Sequence, residues 1–137
     1  MFEFEQNIKG LAKAESVWQL YVNVNKWAHW DKTIRSVSLS GPFKNGTDGV
    51  MYMQNKMSIP FTIIECTPNK SFTTKAELGN LCINFVHRLE QKNNDIIIHH
   101  KVIIQSEDEQ QAKMLGNKFS NDLTESLQNL IHLVNQE

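Results

Sequence analysis

The sequence predicts an α+β fold: a seven-stranded antiparallel sheet, two short helices after the first strand, and one long C-terminal helix laid on the sheet. Two observations carry this prediction. Across residues 34–105, apolar and polar side chains alternate with period two, broken by short Gly-, Pro- and Asn-containing turns. That is the signature of consecutive strands with one buried face. Across residues 106–134 the period becomes helical. Ala112, Leu115, Phe119, Leu123, Leu127, Leu130 and Val134 fall in steps of three and four, with Ile131 beside them. At ~1.5 Å per residue such a helix is about 40 Å long, enough to cross a small domain. Its stripe needs an apolar sheet to lie on, and the strands upstream supply one.

At the start, Phe2, Phe4, Gln6 and Ile8 alternate with Glu3, Glu5 and Asn7, a strand that Gly10 ends. Residues 14–22 read as a short helix with Val17, Leu20 and Tyr21 on one side, and residues 25–31 as a second helical turn carrying Trp27 and Trp30. Strands follow at residues 34–40, 50–57, 61–67, 71–78, 81–91 and 95–105. Residues 41–49 form a turn, and Ser58-Ile59-Pro60 and Pro68-Asn69-Lys70 end two of the strands. Ser106-Glu107-Asp108-Glu109 reads as a capping box, with Ser106 accepting from the Glu109 amide and Glu109 reaching back. Acidic residues there also suit the positive end of the helix dipole.

Two turn signals fix a register. Gly79-Asn80 and Asn93-Asn94 suit two-residue hairpins, since Gly and Asn tolerate positive φ. Leu89 then opposes Ile98, Phe85 opposes Val102 and Ile83 opposes Ile104, all apolar and on one face. Phe72, Thr74, Ala76 and Leu78 join that face from the preceding strand. The same register sets His87 opposite His100 on the helix-covered side, with paired Cβ atoms about 5 Å apart.

Composition excludes several function classes. The 137 residues suit one domain with a real core. The net charge is −1 and no predicted element carries a Lys/Arg cluster, which argues against nucleic acid or an anionic membrane as the main partner. No apolar run approaches the ~20 residues that span a bilayer. The opening MFEFEQNIKG has neither a basic nor an apolar signal region. Cys66 and Cys82 form no CxxC or zinc-type spacing, so the expected location is a reducing cytoplasm, with no metal and no cofactor. A monomer or homodimer is expected.

Candidate chemistry centres on His87 and His100. Two imidazoles in an apolar cavity can bind a polar ligand group, act as acid and base, or supply half a metal site. The structural alternative is a pair of core histidines bonded to a backbone carbonyl or buried water. His99 is out of phase and faces solvent, and His132 falls opposite the apolar helix stripe. Trp27 and Trp30 flank His29 and either wall a cavity mouth or plug one end of the sheet. Met51 and Met53, or Tyr52 if the phase is reversed, line a pocket or fill core. Gly41, Gly46 and Gly49 lack the Gly-Lys-Ser/Thr ending of a phosphate loop and lie between strands. No Ser-His-Asp set, paired catalytic carboxylates or HExxH occurs.

Five features in order complete the reading: the Ala14-Glu15-Ser16-Val17-Trp18 helix start, Trp27…Trp30-Asp31, the Gly41…Gly46…Gly49 hairpin, Pro68, and the long last helix. Together they resemble the helix-grip fold of the Bet v 1/START-like (SRPBCC) superfamily, in its bacterial polyketide cyclase/dehydrase and lipid-transport-like branch. The resemblance spans essentially the whole chain, as a single ligand-binding domain over residues 1–137. It implies a curved sheet gripping the last helix around an elongated apolar cavity. Members bind lipids, sterols, polyketides and hormones, some catalyse cyclisation, and relatives act as chaperone cofactors. No universal catalytic residue carries over.

The expected function is binding of a small hydrophobic ligand. The expected lining is Trp27, Trp30, Met51, Met53, Phe72, Thr74, Ala76, Phe85, His87, Ile98, His100, Leu115, Phe119 and Leu123. The alternatives are a cyclase or dehydratase using the two histidines, and a protein-interaction module with a filled cavity. Gly116, inside the last helix, marks a bend, a close approach at the cavity mouth, or a tolerated glycine.

Overall fold

The computed structural model describes residues 1–135. Seven strands form one antiparallel sheet: β1 (Phe2–Leu11), β2 (Ile34–Leu39), β3 (Asp48–Met53), β4 (Ser58–Thr67), β5 (Ser71–Leu78), β6 (Leu81–Lys92) and β7 (Asp95–Ser106). Their order is β1-β7-β6-β5-β4-β3-β2. Successive hairpins build the run from β2 to β7, and β1 pairs with β7 from Phe2↔Ile104 to Leu11↔Asp95. The connection from β1 to β2 therefore crosses from one edge of the sheet to the other. It carries α1 (Ala14–Val22), a single 3-10 turn (Val24–Lys26) and α2 (Trp27–Trp30). The helix α3 (Glu109–Val134) returns across β1 and β7.

The register agrees with the hairpin argument. Leu89↔Ile98, Phe85↔Val102, Ile83↔Ile104 and His87↔His100 are all paired, and Phe72, Thr74, Ala76 and Leu78 follow on β5. Gly79 (φ 64°) and Asn93 (φ 57°) hold the left-handed conformations that the two turns demand. Irregularities between Ile34 and Ser36 and between Ile63 and Glu65 interrupt the ladders, the devices that bend a sheet.

Several expectations need correction. Gly10 does not end β1, for it pairs with Ile96 inside the ladder. The strand predicted over residues 50–57 stops at Met53, where a turn with Lys56 at φ 72° intervenes. Ser58-Ile59-Pro60 opens β4 rather than closing β3. Pro60 is tolerated because β4 pairs with β5 only from Thr62 onward, so no ladder needs its missing N–H there. The segment before β3 is more than a turn, since Phe43 packs edge-on against Trp18 and Phe72.

The capping box also fails. β7 runs on to Ser106, paired with Leu81, so the helix starts later. Asp108 is the N-cap and accepts from the amides of Gln110 and Gln111. Ser106 instead accepts from the Asp108 amide, and Glu109 holds the N-terminal ammonium at 2.6 Å.

The core forms two clusters. One gathers α1, α2, residues from β2 to β7 and the C-terminal half of α3 around Tyr21, Trp27, Phe72 and Leu130. The other sits under the N-terminal half of α3, with Ile83, Val102, Ile104, Ala112 and Leu123. The candidate site lies where they meet.

Candidate functional site

Two connected spaces separate the sheet from α3. An inner chamber of about 60 Å³ is walled by Trp27, Trp30, Met51, Ala76, His87, His100, Leu123 and Ser126, among others. An outer chamber of about 870 Å³ is lined by Met57, Leu78, Leu81, Met114 and Leu115, with Lys32 and Lys118. Thr33, Met53, Ile59, Ile83, Phe119 and Asp122 line both and so form the neck. Met57 and Met114 are exposed apolar side chains on the outer lining.

Local folding explains the inner wall. The end of α1 leaves carbonyls without helical partners. The indoles supply them: Trp27 Nε1 donates to the Tyr21 carbonyl at 2.8 Å and Trp30 Nε1 to the Leu20 carbonyl at 3.3 Å. Both tryptophans are thereby fixed against the sheet, Trp27 stacked on Phe61. They close the inner end of the cavity and do not form its mouth, which is built by the outer methionines and leucines. At the other end of α1, Gln91 on β6 accepts from the Ala14 amide at 2.7 Å.

His87 and His100 face each other across β6 and β7 with ring centroids 4.6 Å apart. The His87 ring stacks on Phe72 at 4.0 Å, and its Nδ1 lies 3.4 Å from the Phe72 carbonyl. His100 Nε2 lies 2.7 Å from the Tyr21 hydroxyl. Burial pushes His87 down to about 3. It also drives His100 well below the usual histidine range, and the neighbouring His87 and His99 disfavour a charge there in the same sense. Burial holds the Tyr21 phenol well above its usual value. All three are therefore uncharged at neutral pH.

Acidic groups stand beside them. Asp31 lines the chamber and accepts from the Thr33 hydroxyl at 2.6 Å. Burial raises its carboxyl against the Thr33 hydrogen bonds, with Asp122 and Glu125 adding repulsion. Asp122 is raised by burial too, against the pull of Lys118.

Of the sequence-predicted lining residues, Trp27, Trp30, Met51, Met53, Thr74, Ala76, Phe85, His87, His100, Phe119 and Leu123 line the inner chamber, and Leu115 the outer one. Phe72 and Ile98 line neither space. Phe72 is fully covered by aromatic neighbours, and Ile98 is fully buried between Ile8 and Leu89. Tyr52 is on the other phase from Met51 and Met53 and lines neither chamber. His99 points away from the site as expected but is only 13% exposed, paired with Glu90 at 3.3 Å. His132 is exposed. Gly116 lies outside the cavity lining, and a Cβ there would overlap the Phe2 ring, so it marks a close approach to β1. Among the described residues there is no group of three or more His, Cys, Asp or Glu able to hold a metal ion. No helix among them is long and apolar enough to cross a membrane.

No family model matches the chain, and no curated protein does. Solved structures do. Ara h 8.0201 superposes with a TM-score of 0.78 at 11% identity, covering 99% of each chain. A START superfamily protein from Mycobacterium smegmatis gives 0.76 at 9% identity, covering 98% of this chain and 97% of that one. The chain has the Bet v 1/START-like helix-grip fold. The di-domain ARO/CYC StfQ from the steffimycin biosynthetic pathway shares that fold, with a TM-score of 0.80 at 10% identity over 98% of this chain and 50% of its own.

Within this helix-grip scaffold, sequence reasoning missed Tyr21 as the partner of His100 and missed the Asp31 and Asp122 pair. The signal for Tyr21 was its place on the buried side of α1 beside Val17. For Asp122 it was a carboxylate one position before Leu123 of the apolar stripe.

Proposed function

We propose that this protein binds a small hydrophobic molecule between the sheet and α3, for transport or sequestration in the cytoplasm. The observation that supports this best is the outer chamber of about 870 Å³, apolar along Met57, Leu78, Leu81, Met114 and Leu115 and narrowing past Phe119 to a small, mainly apolar inner chamber that also carries His87 and His100. Clefts of ~300–1,000 Å³ suit small ligands. A ligand burying roughly 300 Å² of apolar surface gains about 7 kcal/mol before ordering costs. The likeness to the Ara h 8.0201 and START superfamily folds supports the same reading.

A cyclase or dehydratase is the second reading, favoured by the unbroken sequence of contacts from Tyr21 to His100 to His87. Its weakness is basicity. With His87 near 3, only ~1 in 10⁴ molecules carries the imidazolium at neutral pH, and the neutral ring is a weak base. Buried neutral imidazoles serve hydrogen bonding better than proton transfer.

Native mass spectrometry of the purified protein, with organic extraction of any adduct, tests the binding reading. The expected result is a hydrophobic adduct, or saturable uptake of a fluorescent lipid probe, weakened in Ala76→Trp because an indole fills the inner chamber of about 60 Å³. A clean apo mass with no probe uptake points instead to the interaction module.

A further inference from the structure

We propose that the inner chamber is a subsite for an uncharged hydroxyl or carbonyl group and turns carboxylates away. This deepens the ligand-binding reading above and rests on it.

The hydrogen-bond partners fix the tautomers of both histidines. The Tyr21 hydroxyl is fully buried, and its partner is His100 Nε2 at 2.7 Å. If Nε2 carried the proton, the phenol hydrogen would be buried without an acceptor, at the cost of an unmade hydrogen bond. The phenol therefore donates, and His100 carries its proton on Nδ1. His87 Nδ1 faces the Phe72 carbonyl, which only accepts. His87 thus has its proton on Nδ1 and a lone pair on Nε2.

The remaining ring nitrogens, His87 Nε2 and His100 Nδ1, belong to rings that both line the chamber. The Thr74 and Ser126 hydroxyls line it as well, on residues 3% and 5% exposed. One acceptor, one donor and two hydroxyls converge on about 60 Å³, room for a head group and no ring system. A ligand hydroxyl can donate to His87 and accept from His100. A carbonyl can accept from His100 and a hydroxyl.

Charge decides against anions. The inner lining contains no Lys or Arg, while Asp31 and Asp122 lie in its wall. A carboxylate entering it loses its hydration, meets two acidic groups and finds no cation to pair with. His87 stays neutral and cannot supply the missing charge.

The test is displacement of the uncharged fluorophore N-phenylnaphthylamine by a series with one tail length: decanol, methyl octyl ketone, decanoate and decylamine, at neutral pH. Decanol and the ketone are expected to displace at least about tenfold more effectively than decanoate. Asp122→Lys, at a half-buried helix position, is expected to raise the decanoate affinity by about tenfold, and His87→Phe to erase the preference for decanol. Decanoate equal to decanol in the wild type overturns the proposal while leaving the cavity reading intact. So does decylamine binding best, or Asp122→Lys bringing no gain for decanoate. A fluorophore that does not bind at all sinks the cavity reading, and this one with it.

Discussion

The Tyr21 hydroxyl and His100 Nε2 meet at 2.7 Å in an interior where neither residue is more than 1% exposed. Protonating His100 at Nε2 reverses that bond, strips the phenol hydrogen of its acceptor and places a cation beside His87 in the same interior. Folding therefore couples to pH. Histidines in the unfolded chain titrate near 6.5, whereas burial takes the folded His87 to about 3 and His100 well below the usual range. Below about pH 6.5 the unfolded state binds protons that the native state refuses. The contribution is fully present above that value and is lost as pH falls, at up to ~1.4 kcal/mol per pH unit for each histidine, until the folded pKa is reached. Asp31 and Asp122, with raised carboxyls, act in the opposite sense. The informative quantity is thus the difference between wild type and His87→Phe. Urea midpoints measured from about pH 7.5 down to pH 4 are expected to fall more steeply for the wild type. Parallel curves would mean that His87 is not buried as a neutral group.

The hairpin registers were legible in the sequence because each depends on neighbours close along the chain. A two-residue turn sets the pairing, and a one-residue slip would turn Phe85, Leu89 and Ile98 out of the core. His87 and His100 followed from the same logic. Tyr21 did not, because its partner lies 79 residues away and a buried tyrosine on an amphipathic helix looks like any core aromatic. The helix start was ambiguous for a different reason. Ser106 and Asp108 both have capping chemistry, and the choice fell to the long-range pairing of Ser106 with Leu81. The shape of the cavity was out of reach altogether. Whether Phe119 and Met53 fill a core or frame a neck depends on how far α3 stands off the sheet, which the close approach of Gly116 to Phe2 helps to set.

That last contact makes a prediction with competing terms. Gly116→Ala removes a helix-interior glycine, which by propensity alone gains up to ~1 kcal/mol. Against this, the new methyl would occupy the space of the Phe2 ring. Overpacking of this kind costs about 1–3 kcal/mol, so steric conflict wins and the variant is less stable than the wild type. Phe2→Ala in the same background is expected to recover part of the loss. Chemical denaturation of the two single variants and the double variant gives a coupling energy, expected to exceed ~0.5 kcal/mol. Additive effects would separate Gly116 from Phe2 and leave the glycine without this role.

Phe119 lines both chambers and meets Phe85 edge-on at 5.3 Å. Its ring is only partly buried. Phe119→Ala should therefore destabilise by less than the ~3–5 kcal/mol of a fully buried Phe→Ala change. Its larger effect is expected on ligand entry, because the ring occupies the neck between the small inner chamber and the large outer one. Removing it lets the two spaces merge. In stopped-flow experiments, N-phenylnaphthylamine should associate faster with Phe119→Ala than with the wild type, and bulkier apolar probes should gain the most affinity. Leu115→Ala, outside the neck, is expected to weaken apolar contact without that gain in rate. Unchanged association in Phe119→Ala would show that entry does not pass this ring, and the route from the methionine-lined opening to His87 would have to lie elsewhere.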